Sequence, residues 1–301
     1  MYDERAKDFI YRNARPLEIA RWKYLFEGGS RNDVLTALAA YQNADGGFGH
    51  ALEPDCWNPH SSPVQTWVAT EILKELRWED QSYPIVQGIL RYLASGDAFD
   101  GHTWLRTIPS NNHYPHAPWW DDESIPETSY NPTASLIGFI LKFAAPGSAL
   151  FSLACKLAQE AYRYLKEQFP LESMHTASCF VELYESMKES PVASLLALDE
   201  FEALLHRQIR YVVTDDSSKW GVDYVCKPSL LIHSKVSAFY WENKDVCEEE
   251  CKFILNTQEP DGSWKITWSW EAYPEQWSIS KNWWKSDVII KNLRFVKAIC
   301  A

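Results

Sequence analysis

One short phrase occurs twice in this chain, and its recurrence constrains the fold more than any other feature. Residues 42–48 read QNADGGF and residues 258–264 read QEPDGSW, so each phrase has a Gln, two other residues, Asp-Gly, one residue and a large aromatic. Weaker versions lie at 97–104 and 215–221. From Asp45 to Asp100 is 55 residues and from Asp216 to Asp261 is 45. Repetition at such intervals predicts stacked similar units.

A helical pattern precedes and follows each phrase. Ser62-Pro63 and Asn131-Pro132 are helix-start signals, because Pro at the first helical position needs no amide partner. No segment shows the alternation of a strand. The sequence predicts an all-α chain, a single domain over 1–301, in which six helical hairpins close into an (α/α)6 toroid; an open solenoid is the alternative. The twelve predicted helices are 2–13, 16–27, 32–41, 63–76, 82–95, 132–141, 148–168, 173–188, 194–212, 228–242, 243–257 and 284–299.

The repeated phrase resembles the QW-type repeat of the squalene–hopene cyclase and protein prenyltransferase superfamily. That resemblance implies an α/α toroid in which the Gln caps a helix end and stacks on the aromatic of a neighbouring repeat. By this likeness Gln42, Phe48, Gln258 and Trp264 are expected to be structural rather than catalytic. A shared fold does not by itself imply a shared activity.

The long connections of the predicted toroid are rich in tryptophan. They cover about 44–61, 96–130, 213–227 and 258–283, and loops of this length in a compact domain commonly carry function. Packing between repeats explains some of these rings, and an aromatic-walled pocket is the other explanation. The predicted ligand-contacting residues are Trp57, His113, His116, Trp119, Trp120, Tyr224, Trp268 and Trp270.

Acidic residues accompany these aromatic rings. Glu53 and Asp55 precede the helix start at Ser62, and Asp121 and Asp122 follow Trp119-Trp120. When two carboxyl groups lie close together, their pKa values separate, and the group with the higher pKa can serve as a general acid. The alternative is that these acids interact favourably with the positive end of the dipole of the helix that follows them. We predict Glu53, Asp55, Asp121 and Asp122 as catalytic residues, with residues 53–55 extended and Asp55 in the mouth of the central cavity, close to a carboxylate or His of segment 113–123.

The active-site motifs of the superfamily do not transfer intact. There is no Asp-x-Asp-Asp string for protonating an alkene, and Asp55 and Cys56 are adjacent instead of spaced like the Asp-x-Cys pair that holds zinc in protein prenyltransferases. The basic residues that a diphosphate would need are scattered through the loops. No metal site and no cofactor are therefore expected.

The net charge and the cysteines limit the classes of partner and the cellular compartment that we expect. With 29 basic and 41 acidic residues the net charge is −12, which argues against nucleic acid and anionic membranes as partners. No secretory signal or transmembrane segment is expected, and seven scattered cysteines suit reduced thiols in the cytoplasm.

Three functional hypotheses follow. The first is a terpenoid-cyclase-like protein whose aromatic, acidic cavity binds an isoprenoid, with acid-initiated cyclisation by Asp55 or Glu53 and cation–π stabilisation by the rings. The second is a carbohydrate-active (α/α)6 enzyme, a glycosidase or lyase, since Trp platforms and paired carboxylates suit sugar rings. The third is a non-catalytic binding or scaffold toroid. In each enzyme hypothesis the partner is a small molecule, an isoprenoid or a sugar.

Overall fold

A computed structural model describes residues 4–122 and 130–300, and within these ranges the chain is all-α. No strand forms there; isolated bridges between loop residues are the only β pairing. This confirms the predicted fold class. The α-helices are α1 Glu4–Asn13, α2 Pro16–Phe26, α3 Arg31–Ala39, α4 Pro63–Glu75, α5 Pro84–Ser95, α6 Thr133–Phe143, α7 Ala149–Gln168, α8 Met174–Glu189, α9 Leu198–Val212, α10 Lys244–Asn256 and α11 Pro274–Cys300.

The chain divides into two compact units. The terminal unit combines the residues up to Ala40 with those from Val213 onward, and the middle unit runs from Tyr41 to Val212. The terminal unit holds α1–α3, α10 and α11, and the middle unit holds α4–α9. The single domain and the six-hairpin toroid stay predictions.

The middle unit is built around α6. Its sequence TASLIGFILKF is apolar on nearly every face, and all of its residues except Lys142 are buried. Helix α6 packs against α7 and α8, and α8 packs in turn against α9. A helix that is apolar all round is stable only when surrounded by other elements, so α6 forms the core of this unit.

The terminal unit is organised by its last helix. Helix α11 contacts α1, α2 and α10, and a buried ion pair joins Arg21 Nη1 of α2 to Asp287 Oδ1 of α11 at 2.8 Å. The predicted ring would place the last helix beside the N-terminal helices, and α11 does lie there. Helix α11 is longer than predicted, because it begins at Pro274 rather than near residue 284.

The predicted helix over 228–242 is wrong. This stretch forms only short 3-10 turns at 228–230 and 241–243. The buried carboxylate of Glu250 in α10 accepts hydrogen bonds from Ser229 N at 2.7 Å and from Ser229 Oγ. These contacts fix the start of the segment against α10, and such a tertiary interaction overrides local helix propensity.

The four repeated phrases fold into the same turn. In each, Oδ1 of the Asp accepts a hydrogen bond from the backbone N–H two residues later, at 2.9 Å for Asp45, 2.8 Å for Asp100, 3.1 Å for Asp216 and 2.9 Å for Asp261. The large aromatic residue three or four positions after the Asp is buried in each phrase; these residues are Phe48, Trp104, Trp220 and Trp264. The phrase is thus a local folding unit, in which an Asx turn delivers a ring to the core.

In the two complete phrases, the Gln side chain bonds both within its own turn and to a helix outside the phrase. Nε2 of Gln42 donates to Gly46 O at 2.9 Å, and Nε2 of Gln258 donates to Gly262 O at 3.0 Å. Gln42 also donates to Ile85 O of α5, whereas Gln258 accepts from Arg5 of α1. Each Gln therefore ties its turn to a helix outside its own phrase.

The cysteines depart from the sequence expectation. Cys251 of α10 and Cys300 of α11 form a disulfide, so the prediction of reduced thiols is wrong for these two. The other five cysteines are free, and four of them are buried. A sequence cannot show this pairing, because the two residues are 49 positions apart and meet only when α10 packs on α11.

Candidate functional site

The loop that carries Glu53 and Asp55 is a tight turn. The backbone N–H of Cys56 donates to Glu53 O at 3.2 Å, and Oε2 of Glu53 accepts a hydrogen bond from Asp55 N at 2.9 Å. The expectation of an extended 53–55 segment is wrong, because Pro54 takes the second position of a turn that its fixed φ favours. Glu53 and Asp55 are only 5% and 2% exposed. The turn therefore holds two buried acidic side chains two residues apart.

This turn pairs with the segment that precedes Trp119. Cys56 and His116 form an antiparallel bridge. The N–H of Trp57 donates to Pro115 O at 2.9 Å, and the N–H of Ala117 donates to Asp55 O at 2.8 Å. The structure thus brings Asp55 beside segment 113–123, as far as residue 122, as the sequence analysis expected; residues 123–129 lie outside the described part.

His116 and His113 are placed differently. His116 is buried, and its Nδ1 lies 2.7 Å from Tyr114 O. Since a carbonyl oxygen can only accept, Nδ1 carries the proton and Nε2 is the nitrogen left for other contacts. His113 is exposed at the end of the 3-10 turn 109–113. Of the two, only His116 belongs to the buried layer that contains Asp55.

The predicted aromatic and acidic residues after Ala117 are half-buried. Trp119 and Trp120 lie on the 3-10 turn 118–120, and the N–H of Trp120 donates to Ala117 O at 2.9 Å. Asp121 and Asp122 follow directly, and the N–H of Asp122 donates to Asn112 Oδ1 at 3.0 Å. Trp57, on the loop that carries Glu53 and Asp55, is also half-buried.

A buried amide network supports both loops, and the sequence analysis missed it. Nδ2 of Asn58 donates to Asn111 Oδ1 at 2.9 Å and to Ser110 Oγ at 2.8 Å. Nδ2 of Asn111 donates in turn to Trp120 O at 3.0 Å, and Gln65 of α4 donates to Asn58 O. The Asn residues read as ordinary loop residues in sequence, so the only available signal was their position beside the predicted acids.

The thiol of Cys56 belongs to the same network. Its Sγ lies 3.4 Å from Asn111 Oδ1. Burial, with the nearby acids Glu53 and Asp55, raises the pKa of Cys56 to about 12. A thiol of this kind is an inert core group and not a nucleophile.

Three predicted ligand-contacting residues lie in the terminal unit. Tyr224 is exposed and packs edge-on against Trp268, with ring centroids 5.6 Å apart. Trp268 also packs edge-on against Trp284 at 5.3 Å. Trp270 is fully buried and contacts Trp277 at 5.7 Å. Tyr224 and Trp268 present accessible ring surface, whereas Trp270 is a core residue of its unit.

A polar cleft of about 680 Å³ opens in the middle unit. It adjoins the amide network through Ser110, and its wall residue His60 lies 3.2 Å from Tyr114 Oη. None of the predicted site residues in the described part of the chain lines this cleft. Its walls are Asn43, Ala44, Asp45, His60, Ser61, Asp97, Ala98, Leu105, Ile108, Pro109 and Ser110.

Residues 4–122 and 130–300 contain neither a metal-ligand cluster nor a membrane-spanning helix. In these ranges no three His, Cys, Asp or Glu side chains come together as metal ligands would. Within the same ranges, none of the helices combines the length and apolar composition that spanning a bilayer requires. In comparisons with known proteins, no family model, curated protein or solved structure matches this chain.

Proposed function

We propose that the Glu53–Cys56 turn and residues 115–122 form the ligand site of a terpenoid-cyclase-like protein that binds an isoprenoid. One observation carries this proposal: two acidic side chains, both buried, lie on a turn whose backbone pairs with the segment leading to Trp119 and Trp120. In this proposal one of the two acidic side chains is the proton donor to the ligand.

The proposed reaction is an acid-initiated isomerisation. Asp55 or Glu53 gives its proton to an alkene carbon, which forms a C–H bond and leaves a carbocation on the neighbouring carbon. An internal alkene attacks this cation and closes a ring, and loss of a proton to water or the carboxylate ends the reaction. The faces of Trp119 and Trp120 stabilise the cation while it exists. The product has the mass of the substrate.

Deuterium incorporation tests this reaction. Squalene and geranylgeraniol are incubated with the full chain in water and in D2O, and the products are analysed by mass spectrometry. We expect an isomer of unchanged mass in water and of one added deuterium in D2O. Organic extraction of the purified protein identifies any isoprenoid that it carries. Turnover without deuterium, or no isomer from either probe, contradicts the proposed reaction; a bound isoprenoid without turnover favours the binding-protein alternative.

A carbohydrate ligand is the second candidate, and the polar cleft favours it. Six of its wall residues carry polar side chains, among them His60, Asp45 and Ser110, as recognition of hydroxyl groups requires. Calorimetric titration with neutral oligosaccharides tests this candidate. Binding that His60→Ala abolishes supports it, and the absence of heat with every sugar contradicts it.

Our proposal keeps the expected cytoplasmic location. The acidic chain and five free cysteines support it, while the Cys251–Cys300 disulfide is of a kind more common in oxidising compartments. Fractionation of the native host cells tests this part of the proposal.

A further inference from the structure

Arg106 is a cation without a counterion among the residues that the structure describes. It makes no hydrogen bond or ion pair there, and its Nε atom is buried without an acceptor. Its guanidinium carbon lies 5.9 Å from the ring centroid of Trp120. Burial lowers the pKa of Arg106 from its ordinary value. In a chain with 41 acidic residues, a buried Nε atom without an acceptor needs an explanation, because buried donors are nearly always satisfied.

Further donors on the same two loops also lack acceptors. Nε1 of Trp120, Nε1 of Trp104 and Oγ1 of Thr107 are buried, and none has a hydrogen-bond partner. The neighbouring amides of Asn58 and Asn111 are, by contrast, fully engaged in the network described above. Three buried N–H donors in this part of the molecule, those of Arg106, Trp104 and Trp120, therefore have no acceptor.

The position of Arg106 joins it to the candidate site. Its neighbours Leu105 and Ile108 line the polar cleft, while its guanidinium packs on Trp120. The N–H of Trp120 donates to Ala117 O, and the N–H of Ala117 donates to Asp55 O. The unpaired guanidinium thus lies on the loop pair that also positions Asp55.

We propose that Arg106 and Trp120 bind an anionic oxygen group of the ligand, a carboxylate or a monophosphate. The assignment rests on the proposed function for the rest of the ligand, an isoprenoid chain. A planar guanidinium binds either group through two parallel hydrogen bonds. One arginine supplies one positive charge, so the site fits a group of low charge better than a diphosphate, which requires several cations.

Three probes with the same fifteen-carbon chain test this assignment: farnesoic acid, farnesyl phosphate and farnesol. Affinities are measured by calorimetry and by quenching of tryptophan fluorescence. We expect at least one anionic probe to bind about tenfold or more tightly than the alcohol, since a hydrogen bond to a charged group is worth that much. The tighter of the two identifies the head group. The affinity of the anion should fall with added salt, and that of farnesol should not.

Variants separate the role of Arg106 from a general effect of charge. Arg106→Gln should weaken the anionic probe about tenfold or more and leave farnesol within about twofold. Trp120→Phe keeps a ring and removes the N–H, and should weaken the anion about threefold to tenfold. The control is Arg163→Gln, an exposed arginine of α7. If Arg106→Gln does not fold, Arg106→Lys, which keeps the charge, should give an intermediate affinity.

The outcomes distinguish failure of the anion site from failure of the proposed isoprenoid function. Equal affinity of wild type for all three probes overturns the anion site and leaves the apolar ligand site standing. A preference for the anion that Arg163→Gln weakens as much as Arg106→Gln also overturns it, because the effect is then nonspecific. Failure of all three probes to bind contradicts the proposed isoprenoid function together with the anion site.

Discussion

Oε2 of Glu53 lies 2.9 Å from the backbone nitrogen of Asp55 and accepts its hydrogen bond. Glu53 therefore stabilises the turn of the candidate site and also supplies one of its two buried acidic groups. The N–H of Asp55 donates this bond, and its carbonyl accepts a hydrogen bond from the N–H of Ala117, so the Asp55 backbone joins the two loops.

Loss of the Glu53 side chain should destabilise the fold. Glu53→Ala leaves the buried N–H of Asp55 without its acceptor, which costs about 1–3 kcal/mol. Glu53→Gln offers an amide oxygen in the same place and should cost less. Urea unfolding of both variants measures the difference. Equal stability of Glu53→Ala and wild type would show that the bond does not hold the turn.

The glycines of the two complete phrases should not tolerate a side chain. Gly46 and Gly262 have φ angles of +98° and +89°, and an added Cβ would lie 2.1 Å from Gly88 O and 2.2 Å from Arg5 O. We expect Gly46→Ala and Gly262→Ala to cost about 2–4 kcal/mol each.

Gly101 is the matched control for those two substitutions. Its φ is +100°, but no atom lies within 4 Å of the added Cβ. Gly101→Ala should cost only the backbone strain, about 1 kcal/mol. Thermal unfolding of the three variants compares them. Equal losses at Gly46 and Gly101 would contradict the close approach of the first phrase to α5.

Stability should depend on the ionisation of Asp287. Burial alone would raise its pKa, but Lys291 and Arg21 outweigh burial and hold the pKa well below its ordinary value. A depressed folded-state pKa means that this stabilisation is complete above the unfolded value of about 3.9 and is lost as the pH falls towards the folded value.

Asp287→Asn measures that contribution. The gap in unfolding free energy between wild type and variant should stay constant from about pH 5 to pH 8, and should narrow below about pH 4. Urea titrations at several pH values test this. A gap that does not change with pH would mean that the charge of Asp287 contributes nothing to stability.

Reduction of the disulfide should loosen the terminal unit. Cys251 and Cys300 are 49 residues apart, and closing a loop of that length in the unfolded chain is worth about 3–4 kcal/mol. Cys300→Ser and reduced wild type should both lose this amount. Alkylation of the denatured, unreduced protein should label five cysteines. Seven labelled cysteines, with no effect of reductant on unfolding, would show that the bond does not form.

Local signals predicted much of the fold. The helix start at Ser62 depends on a few neighbouring residues, so the sequence alone indicates it. The segment 228–242 was predicted wrongly because its conformation depends on Glu250, which reaches it from another helix. The turn of Glu53 was missed for a related reason, since a side chain that accepts a backbone N–H leaves no periodic pattern.

The candidate site was predicted in part. The acids and tryptophans were visible as clusters in long loops, and the pairing of the Asp55 loop with segment 115–117 agrees with the expectation that they approach. Asn58, Arg106 and Asn111 were not singled out, because their importance lies in which hydrogen bonds they make or lack. Only a structure provides that information.

We propose that the carboxyl group of Asp55 donates a proton to the ligand. Asp55→Asn keeps the shape of the side chain and both backbone hydrogen bonds, so its melting temperature should stay near that of wild type. The matched control is Glu167→Gln, an exposed acid of α7. The decisive measurement is deuterium incorporation into the isoprenoid isomer by the three proteins. We expect Asp55→Asn to lose deuterium incorporation and Glu167→Gln to retain it; full incorporation by a folded Asp55→Asn variant would rule out Asp55 as the proton donor.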